Sequence, residues 1–439
     1  MRHKRRSFGT LVMSAALLTS IRTAAPAQTP TDTLRLADLQ AAALRRDPRE
    51  AQAALLERQS RLRAANIRAD RHPTLVVEGV AQYQSDVTRI AISAPGFTVP
   101  TPPHDTYDAR IVGQQRIFDP TRAPRLAVEE AQLVSSRANL ASALYANRQS
   151  VNDAFFTALR SQAQLAELET SLTDLEAQLN VAAARVREGA ALASEEMTIR
   201  AELLRRRQIV AEWRATQRAA FDVLEDLTAT RIDSGMTFGE PDVATAVLRA
   251  RAALDSVRTR PEFAQFAAAR RLLERQEEAR AAQDKPRVFL FGRMGYGRPG
   301  LNALNPSFDS YWLGGVQAQW SPWTWGTSER ERDALRVQRQ IVDADEAAFA
   351  AGLRRAVAQD IASLDRLATA LNADDEIIQL RERILVETRV RYREGVINSA
   401  EFVDRQTDVL SARITRALHR VELAQARAHF LTTLGIEVR

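Results

Sequence analysis

Four segments of the chain alternate between apolar and polar residues with a period of two, the pattern of strands that have one apolar face. They occur in two pairs, at about residues 74–117 and 287–320. A stretch rich in turn-forming residues separates the members of the first pair, so each pair predicts a β-hairpin. The clearest apolar positions are Leu75, Val77, Ala81, Tyr83, Tyr107, Ile111, Trp312, Val316 and Trp320.

Two much longer segments have the period of a helix. From about Arg125 to Arg187 and from Ser328 to Arg393 there is no proline, and Gly352 is the one glycine. A helix of this length would extend about 100 Å. Apolar residues recur in these segments at heptad spacing, which predicts packing against a partner helix in a left-handed supercoil. They are Leu165, Leu168, Leu172, Leu175, Leu179, Ala182 and Val186 in the first segment, and Val357, Leu364, Leu371, Ile378, Leu385 and Tyr392 in the second.

A glycine follows each long helical segment. After Gly189 and Gly395 the sequence returns to a helical pattern, over Glu195–Thr228 and Glu401–Leu434. These segments supply the partner helices, and each glycine lies where the chain must reverse.

The two halves of the chain match each other. Pro48 and Pro261 are separated by the same number of residues as Pro73 and Pro286, and the sequence Arg-Glu-Gly occurs at both helix ends. A tandem duplication explains these matches. The predicted organisation is a signal peptide at 1–27, a first repeat at 28–230 with its tip at 189, an inter-repeat equatorial linker at 231–245, and a second repeat at 246–439 with its tip at 395.

The first 27 residues have the order of a secretory signal. A basic stretch precedes an apolar run, and Ala25-Pro26-Ala27 provides a cleavage site of small residues. The alternative, a membrane anchor, is disfavoured because Arg22 breaks the apolar run. We therefore expect export.

Charge and composition exclude several classes of function. The chain has 61 Lys and Arg against 55 Asp and Glu, and the excess lies mostly in the signal segment, so we expect no nucleic-acid partner. The basic run Leu203–Arg207 is interpreted as a solvated helix face. With no cysteine, no recognisable metal motif among the histidines and no nucleotide-binding or hydrolase motif, the sequence predicts no enzyme, no metal and no cofactor.

Four strands with one apolar face cannot close a barrel, and an open sheet in lipid would leave unpaired edge groups. Three copies would supply twelve strands around a water-filled lumen. The polar face predicted for that lumen consists of Glu78, Gln82, Asp108, Arg110, Gln317 and Gln319. The alternative is an exported soluble coiled-coil structural protein without a pore.

Taken in order, several short motifs resemble those of the TolC-type outer-membrane efflux proteins. They are Leu34-x-Leu36 with Ala41 and Asp47-Pro48, Pro73 before a strand, Phe118-Asp119, Pro322-Trp323-Thr324-Trp325-Gly326, and the two Arg-Glu-Gly tips.

The resemblance implies a mainly α fold with membrane β: a long antiparallel coiled-coil α-helical barrel crossing the periplasm, and four strands per chain in a trimeric 12-stranded barrel in outer-membrane lipid. It also implies a passive exit duct for tripartite efflux or type I secretion, in partnership with a periplasmic adaptor (membrane fusion) protein and an inner-membrane pump of the RND or ABC type.

The resemblance also implies roles for individual residues. The tips that contact the adaptor fall on Gly189 and Gly395, and the gate-linking tyrosine falls on Tyr392. Its acidic partner from the neighbouring tip falls on Glu195. The carboxylates that line the lumen and set ion selectivity fall on Glu401 and Asp404, which share one helix face.

Each of these assignments has a simpler alternative. The two glycines are also ordinary helix caps, Tyr392 also fits the heptad seam, and Glu401 and Asp404 are also typical acids of a helix start. The resemblance fails at Ile397, where the family often has an arginine that locks the closed state. Four tryptophans, Trp312, Trp320, Trp323 and Trp325, are interpreted as interfacial anchors of the barrel, the alternative being a soluble core cluster.

Overall fold

A computed structural model of the chain describes residues 33–89, 100–233, 235–254 and 259–438. The predicted signal peptide at 1–27 lies outside the described residues, as does part of the first hairpin loop at 90–99. Within the described ranges, no helix contains an apolar stretch long enough to span a lipid bilayer.

The described residues form two sets of helices and strands in a similar order. The first set is β1 (Thr33–Leu34), α1 (Leu36–Arg46), a 3₁₀ turn (Pro48–Ala51), α2 (Gln52–Ala69), β2 (Thr74–Tyr83), β3 (Asp105–Phe118), α3 (Arg122–Arg187) and α4 (Ala193–Thr228). The second is β4 (Thr237–Phe238), α5 (Ala244–Ala252), α6 (Pro261–Gln283), β5 (Arg287–Arg298), β6 (Asp309–Gln319), α7 (Thr327–Arg393) and α8 (Ser399–Leu434). The duplication itself stays a prediction.

The two long helices are present, with 66 residues in α3 and 67 in α7. Helix α3 begins at Arg122, before Pro124, whereas the sequence predicts a start at about Arg125. Proline is tolerated there because the first four N–H groups of a helix have no partner within it. Asp119 supports this start by accepting a hydrogen bond from the N–H of Thr121 at 3.0 Å.

The heptad seam of α3 is confirmed as the face that packs on other helices. Leu168 and Leu175 are buried there, together with Ile199 and Val210 of α4 and Leu410 of α8. Helix α3 therefore contacts both its own hairpin partner and the last helix of the second hairpin.

The largest core lies at the level of the short elements between the two halves. Phe238 of β4 stacks on Phe221 and meets Phe155 edge-on, with ring centroids 5.3 and 5.4 Å apart. The predicted linker at 231–245 is thus partly structured: β4 pairs in parallel with β1, and α5 begins at Ala244.

The other four strands form one antiparallel sheet in the order β2-β3-β5-β6, so β3 and β5 join the two predicted hairpins. Paired residues share a face of a sheet. Arg110 of β3 lies opposite both Glu78 of β2 and Gly295 of β5, and Gly295 lies opposite Tyr311 of β6. By this register all six residues predicted for the polar face are on one side: Glu78, Gln82, Asp108, Arg110, Gln317 and Gln319.

Candidate functional site at the helix tips and on the sheet

The turn between α3 and α4 is built around a left-handed glycine. Gly189 has φ +73°, and its N–H donates to the carbonyl oxygen of Val186 at 3.1 Å. The N–H of Ala190 donates to the carbonyl oxygen of Arg185 at 2.8 Å. This pair of bonds is a Schellman motif, which satisfies carbonyl groups at the helix end.

The turn between α7 and α8 repeats the motif. Gly395 has φ +70°, its N–H donates to Tyr392 at 3.2 Å, and the N–H of Val396 donates to Arg391 at 2.9 Å. A Cβ added at Gly189 or Gly395 would meet no atom within 4 Å. The backbone conformation, and not crowding, is therefore what requires glycine at both tips. Their contact with an adaptor stays a prediction.

Tyr392 connects the two tips within one chain. Its hydroxyl donates to Glu195 Oε2 at 3.4 Å, and its ring stacks on buried Phe402 with centroids 4.9 Å apart. The Arg185 guanidinium carbon lies 5.9 Å from the centre of the same ring. Burial, followed by the negative charge of Glu195, raises the pKa of Tyr392, so the phenol is neutral at physiological pH. Tyr392 thus lies half-buried between the helices, which is compatible with packing in the heptad seam. Its hydroxyl also bonds to Glu195, which is compatible with the predicted gate link.

Glu401 and Asp404 lie together on the exposed side of α8, away from buried Phe402 and Val403. The Asn398 side chain caps the helix by accepting a hydrogen bond from the Glu401 N–H at 3.0 Å. Glu401 is therefore in the first turn, where the helix dipole favours an acid. Asp404 lies one turn further on, so the helix-start explanation covers Glu401 alone.

Ile397, the residue at which the sequence departs from the family pattern, is half-buried at the second tip. Arg391 and Arg393 are exposed, and neither forms an ion pair with another described residue. The tips are linked instead by the hydrogen bond from Tyr392 to Glu195 and by the Arg185 guanidinium beside the Tyr392 ring.

The interpretation of Leu203–Arg207 as a solvated face is wrong at Arg206. This side chain is fully buried, whereas the flanking Arg205 and Arg207 are each 54% exposed. The Arg206 guanidinium donates to Glu202 Oε1 at 2.7 Å, and it also donates to Ser171 of α3. The residue types in this run do not indicate that Arg206 is buried. The helical spacing does, because Arg206 lies three residues after buried Leu203 and four before buried Val210, on the inner side of α4.

Charged groups on the polar face of the sheet are largely paired with each other. Arg110 forms ion pairs with Glu78 at 2.8 Å and with Asp108 at 3.0 Å. The Tyr311 hydroxyl lies 2.7 and 2.8 Å from the two oxygens of the Asp108 carboxylate. The face therefore presents a hydrogen-bonded polar surface that water can cover.

The opposite face of the sheet is apolar and exposed in the single chain. Val77 is 81% exposed and Leu75 is 72% exposed, so this apolar face is left open within the described residues of one chain, as is typical of a surface that contacts protein or membrane. All four tryptophans are also exposed, so they do not form a soluble core cluster within the chain: Trp312, Trp320, Trp323 and Trp325.

The described residues contain no group of three or more His, Cys, Asp or Glu side chains that could hold a metal ion. The two histidines of α8 pair with single aspartates of α7. His419 Nδ1 lies 2.6 Å from Asp374 Oδ2, and His429 Nδ1 lies 3.0 Å from Asp360 Oδ1. These pairs join the helices of the second hairpin.

Residues 253–435 match the sequence model of a family described as outer membrane efflux protein. This match lies within the second predicted repeat. A comparison with curated protein sequences finds no match.

Solved structures of outer-membrane proteins share the fold. VceC from Vibrio cholerae is 15% identical, with 92% of this chain and 97% of that chain covered and a TM-score of 0.66. The open state of the MtrE channel from Neisseria gonorrhoeae is 18% identical, with 92% and 90% covered and a TM-score of 0.66. The CmeC channel from Campylobacter jejuni is 12% identical, with 91% and 85% covered and a TM-score of 0.63. Residues 253–435 are thus similar to the outer membrane efflux protein family, and the described chain has the fold of the outer-membrane channels to which it is similar.

Proposed function

We propose that three copies of this chain form an outer-membrane channel, the passive exit duct of a tripartite efflux or type I secretion system. The observation that carries this proposal is the sheet, whose two faces differ in polarity. Its apolar side is exposed to the extent expected for contact with lipid, while its polar side pairs charges as expected around water.

The edges of the sheet support assembly. Among the described residues, β2 and β6 each pair on one side only, which leaves a row of free backbone groups at both edges. Lipid does not tolerate such edges, whereas β6 of one copy can pair with β2 of the next. Three copies then close twelve strands, and the long helices continue the wall into the periplasm.

The helix tips are the proposed gate and docking end. Tyr392, Glu195, Glu401 and Asp404 would surround the periplasmic entrance. The turns at Gly189 and Gly395 would meet a periplasmic adaptor, which connects the channel to an energised inner-membrane pump. The chain itself would catalyse no reaction.

A matched pair of variants tests the proposal. Val77→Arg puts a charge on the apolar face and Gln82→Arg puts one on the polar face of the same strand. In a lipid-facing strand, Val77→Arg should destabilise the barrel by about 2–4 kcal/mol if it lies near the bilayer centre. Gln82→Arg should be tolerated, because its side chain would face the water-filled lumen. We expect wild-type protein and Gln82→Arg to give outer-membrane trimers with single-channel conductance, and Val77→Arg to fail to insert. A water-soluble, non-conducting protein that tolerates Val77→Arg would instead support the structural coiled-coil alternative.

A further inference from the structure

Arg293 lies near the middle of β5, on the polar face of the sheet. The register places it opposite Val112 of β3 and Leu313 of β6, so neither cross-strand neighbour is an acid. Along its own strand the residues on the same face are Phe291 and Gly295. Arg293 thus has only uncharged residues directly opposite it and next to it along the strand, and its diagonal neighbours on this face, Arg110, Gln114 and Tyr311, include no acid.

The position of β5 inside the sheet means that assembly does not change the residues opposite Arg293. Because β5 lies between β3 and β6 of the same chain, assembly at the free edges β2 and β6 brings no new residue opposite Arg293. The residues opposite Arg293 in one chain therefore also lie opposite it in a closed barrel.

The nearby acids of this face already have partners. Glu78 and Asp108 pair with Arg110, and Asp108 also accepts from Tyr311. Asp309 is four residues from Leu313 along β6, about 13 Å at the usual rise per residue. That exceeds the Debye length of about 8 Å at physiological salt, so its charge is largely screened from Arg293.

Arg293 itself forms no ion pair or hydrogen bond with another described residue. Its Nε is enclosed without a partner, and its guanidinium carbon lies 5.9 Å from the centre of the Tyr311 ring. Tyr311 can lie there because Gly295 has no side chain: an added Cβ would be 2.8 Å from the Tyr311 hydroxyl oxygen. The guanidinium is thus supported from one side by an aromatic ring and lacks a counter-ion.

We propose that Arg293 is an anion-recognition residue of the channel, which binds carboxylate, phosphate or sulfate groups of solutes that pass through the barrel. Three copies would form a positive ring at one level of the lumen. Guanidinium binds such oxyanions through two parallel hydrogen bonds and stays charged at any physiological pH. This inference rests on the proposed channel function. In such a channel the barrel would favour anions at the Arg293 ring, and the acidic helix tips would favour cations.

The test uses full-length trimers in planar bilayers under a KCl gradient. Arg293→Gln should lower the chloride-to-potassium permeability ratio by roughly two- to threefold, since unit charges a few ångströms apart in water interact by about RT. Arg293→Lys keeps the charge and should retain the wild-type ratio. Inositol hexakisphosphate added on the barrel side should block wild type, block Arg293→Lys more weakly, and leave Arg293→Gln open.

The outcomes separate this inference from the function on which it rests. Conducting Arg293→Gln trimers with the wild-type permeability ratio and unchanged block would overturn the role of Arg293 and leave the channel intact. Absence of conductance in wild-type trimers would overturn the channel function and the ring with it. Conductance of each variant also reports that it has folded and assembled.

Discussion

Arg206 of α4 donates a hydrogen bond to the hydroxyl of Thr407 on α8 at 3.0 Å. The same buried guanidinium binds Glu202 of its own helix and Ser171 of α3. It therefore joins both helices of the first hairpin to the second hairpin. Burial lowers the pKa of Arg206, and the charged bonds to Glu202 oppose this effect. A charge in this position is stable only while all three helices supply partners.

Arg206→Met should loosen the contact between the hairpins. The change leaves the Ser171 and Thr407 hydroxyls without their buried partner, and unsatisfied groups of this kind cost about 1–3 kcal/mol. We expect a lower midpoint of thermal unfolding in detergent. Arg205→Met is the matched control, because Arg205 is exposed beside the same Glu202, and it should change stability by less than about 0.5 kcal/mol. Equal effects of the two variants would show that the buried bridge is unimportant.

Alanine at either tip glycine should destabilise its hairpin. Gly189→Ala and Gly395→Ala place a Cβ on a left-handed residue, which costs about 1–2 kcal/mol even in open space. Gly352→Ala inside α7 is the control with the opposite sign, since it should stabilise the helix by roughly 0.5–1 kcal/mol. Thermal unfolding in detergent measures all three. If the tip variants were as stable as wild type, the turns would have to rearrange without glycine.

The pair of His429 and Asp360 should make stability depend on pH. The hydrogen bond between His429 and Asp360 raises the pKa of His429. Burial lowers this pKa, and the negative charges of Asp360 and Asp153 raise it further, so that the net shift is upward. A raised histidine pKa adds stability that is fully present below the unfolded value of about 6.5 and is lost as pH rises through the folded value.

Wild type should therefore lose more stability between pH 5.5 and pH 8.5 than His429→Gln does. The difference should be a few tenths of a kcal/mol, because the imidazole is nearly half-exposed and water screens the pair. Unfolding midpoints of both proteins at the two pH values give the comparison. Identical pH dependence would rule out a contribution from His429.

Tyr392 and Glu195 should be energetically coupled in the closed channel. Their hydrogen bond is long at 3.4 Å, so the coupling should be about 0.5 kcal/mol, at the low end for such bonds. A double-mutant cycle of Tyr392→Phe and Glu195→Ala, read out as resting conductance, measures it. Tyr392→Ala should increase resting conductance further, because it also removes the stack on Phe402. Additive single effects would mean that the contact does not hold the tips together.

The sequence predicted those parts of the fold that depend on repeated local patterns. Heptad spacing revealed the seam of α3, and period-two alternation assigned the polar and apolar faces of the sheet, because burial of one face imposes both periods. The pairing of β3 with β5 could not be read in this way, since it joins residues far apart in the chain. Arg206 was missed for a related reason: its burial depends on three helices meeting, and its neighbours in sequence are exposed arginines.

The acids Glu401 and Asp404 should favour cations at the periplasmic entrance. They project from one exposed face of α8, so three copies would form two closely spaced rings of negative charge. Glu401→Ala combined with Asp404→Ala should weaken both cation selectivity and block by multivalent cations added on the periplasmic side. Glu401→Asp with Asp404→Glu keeps the charges and should behave as wild type.

Since Arg293 lies in the sheet, at the other end of the long helices, loss of the tip acids should leave the block by inositol hexakisphosphate from the barrel side unchanged. If the alanine variant conducts with wild-type selectivity, the two carboxylates do not face the permeation path.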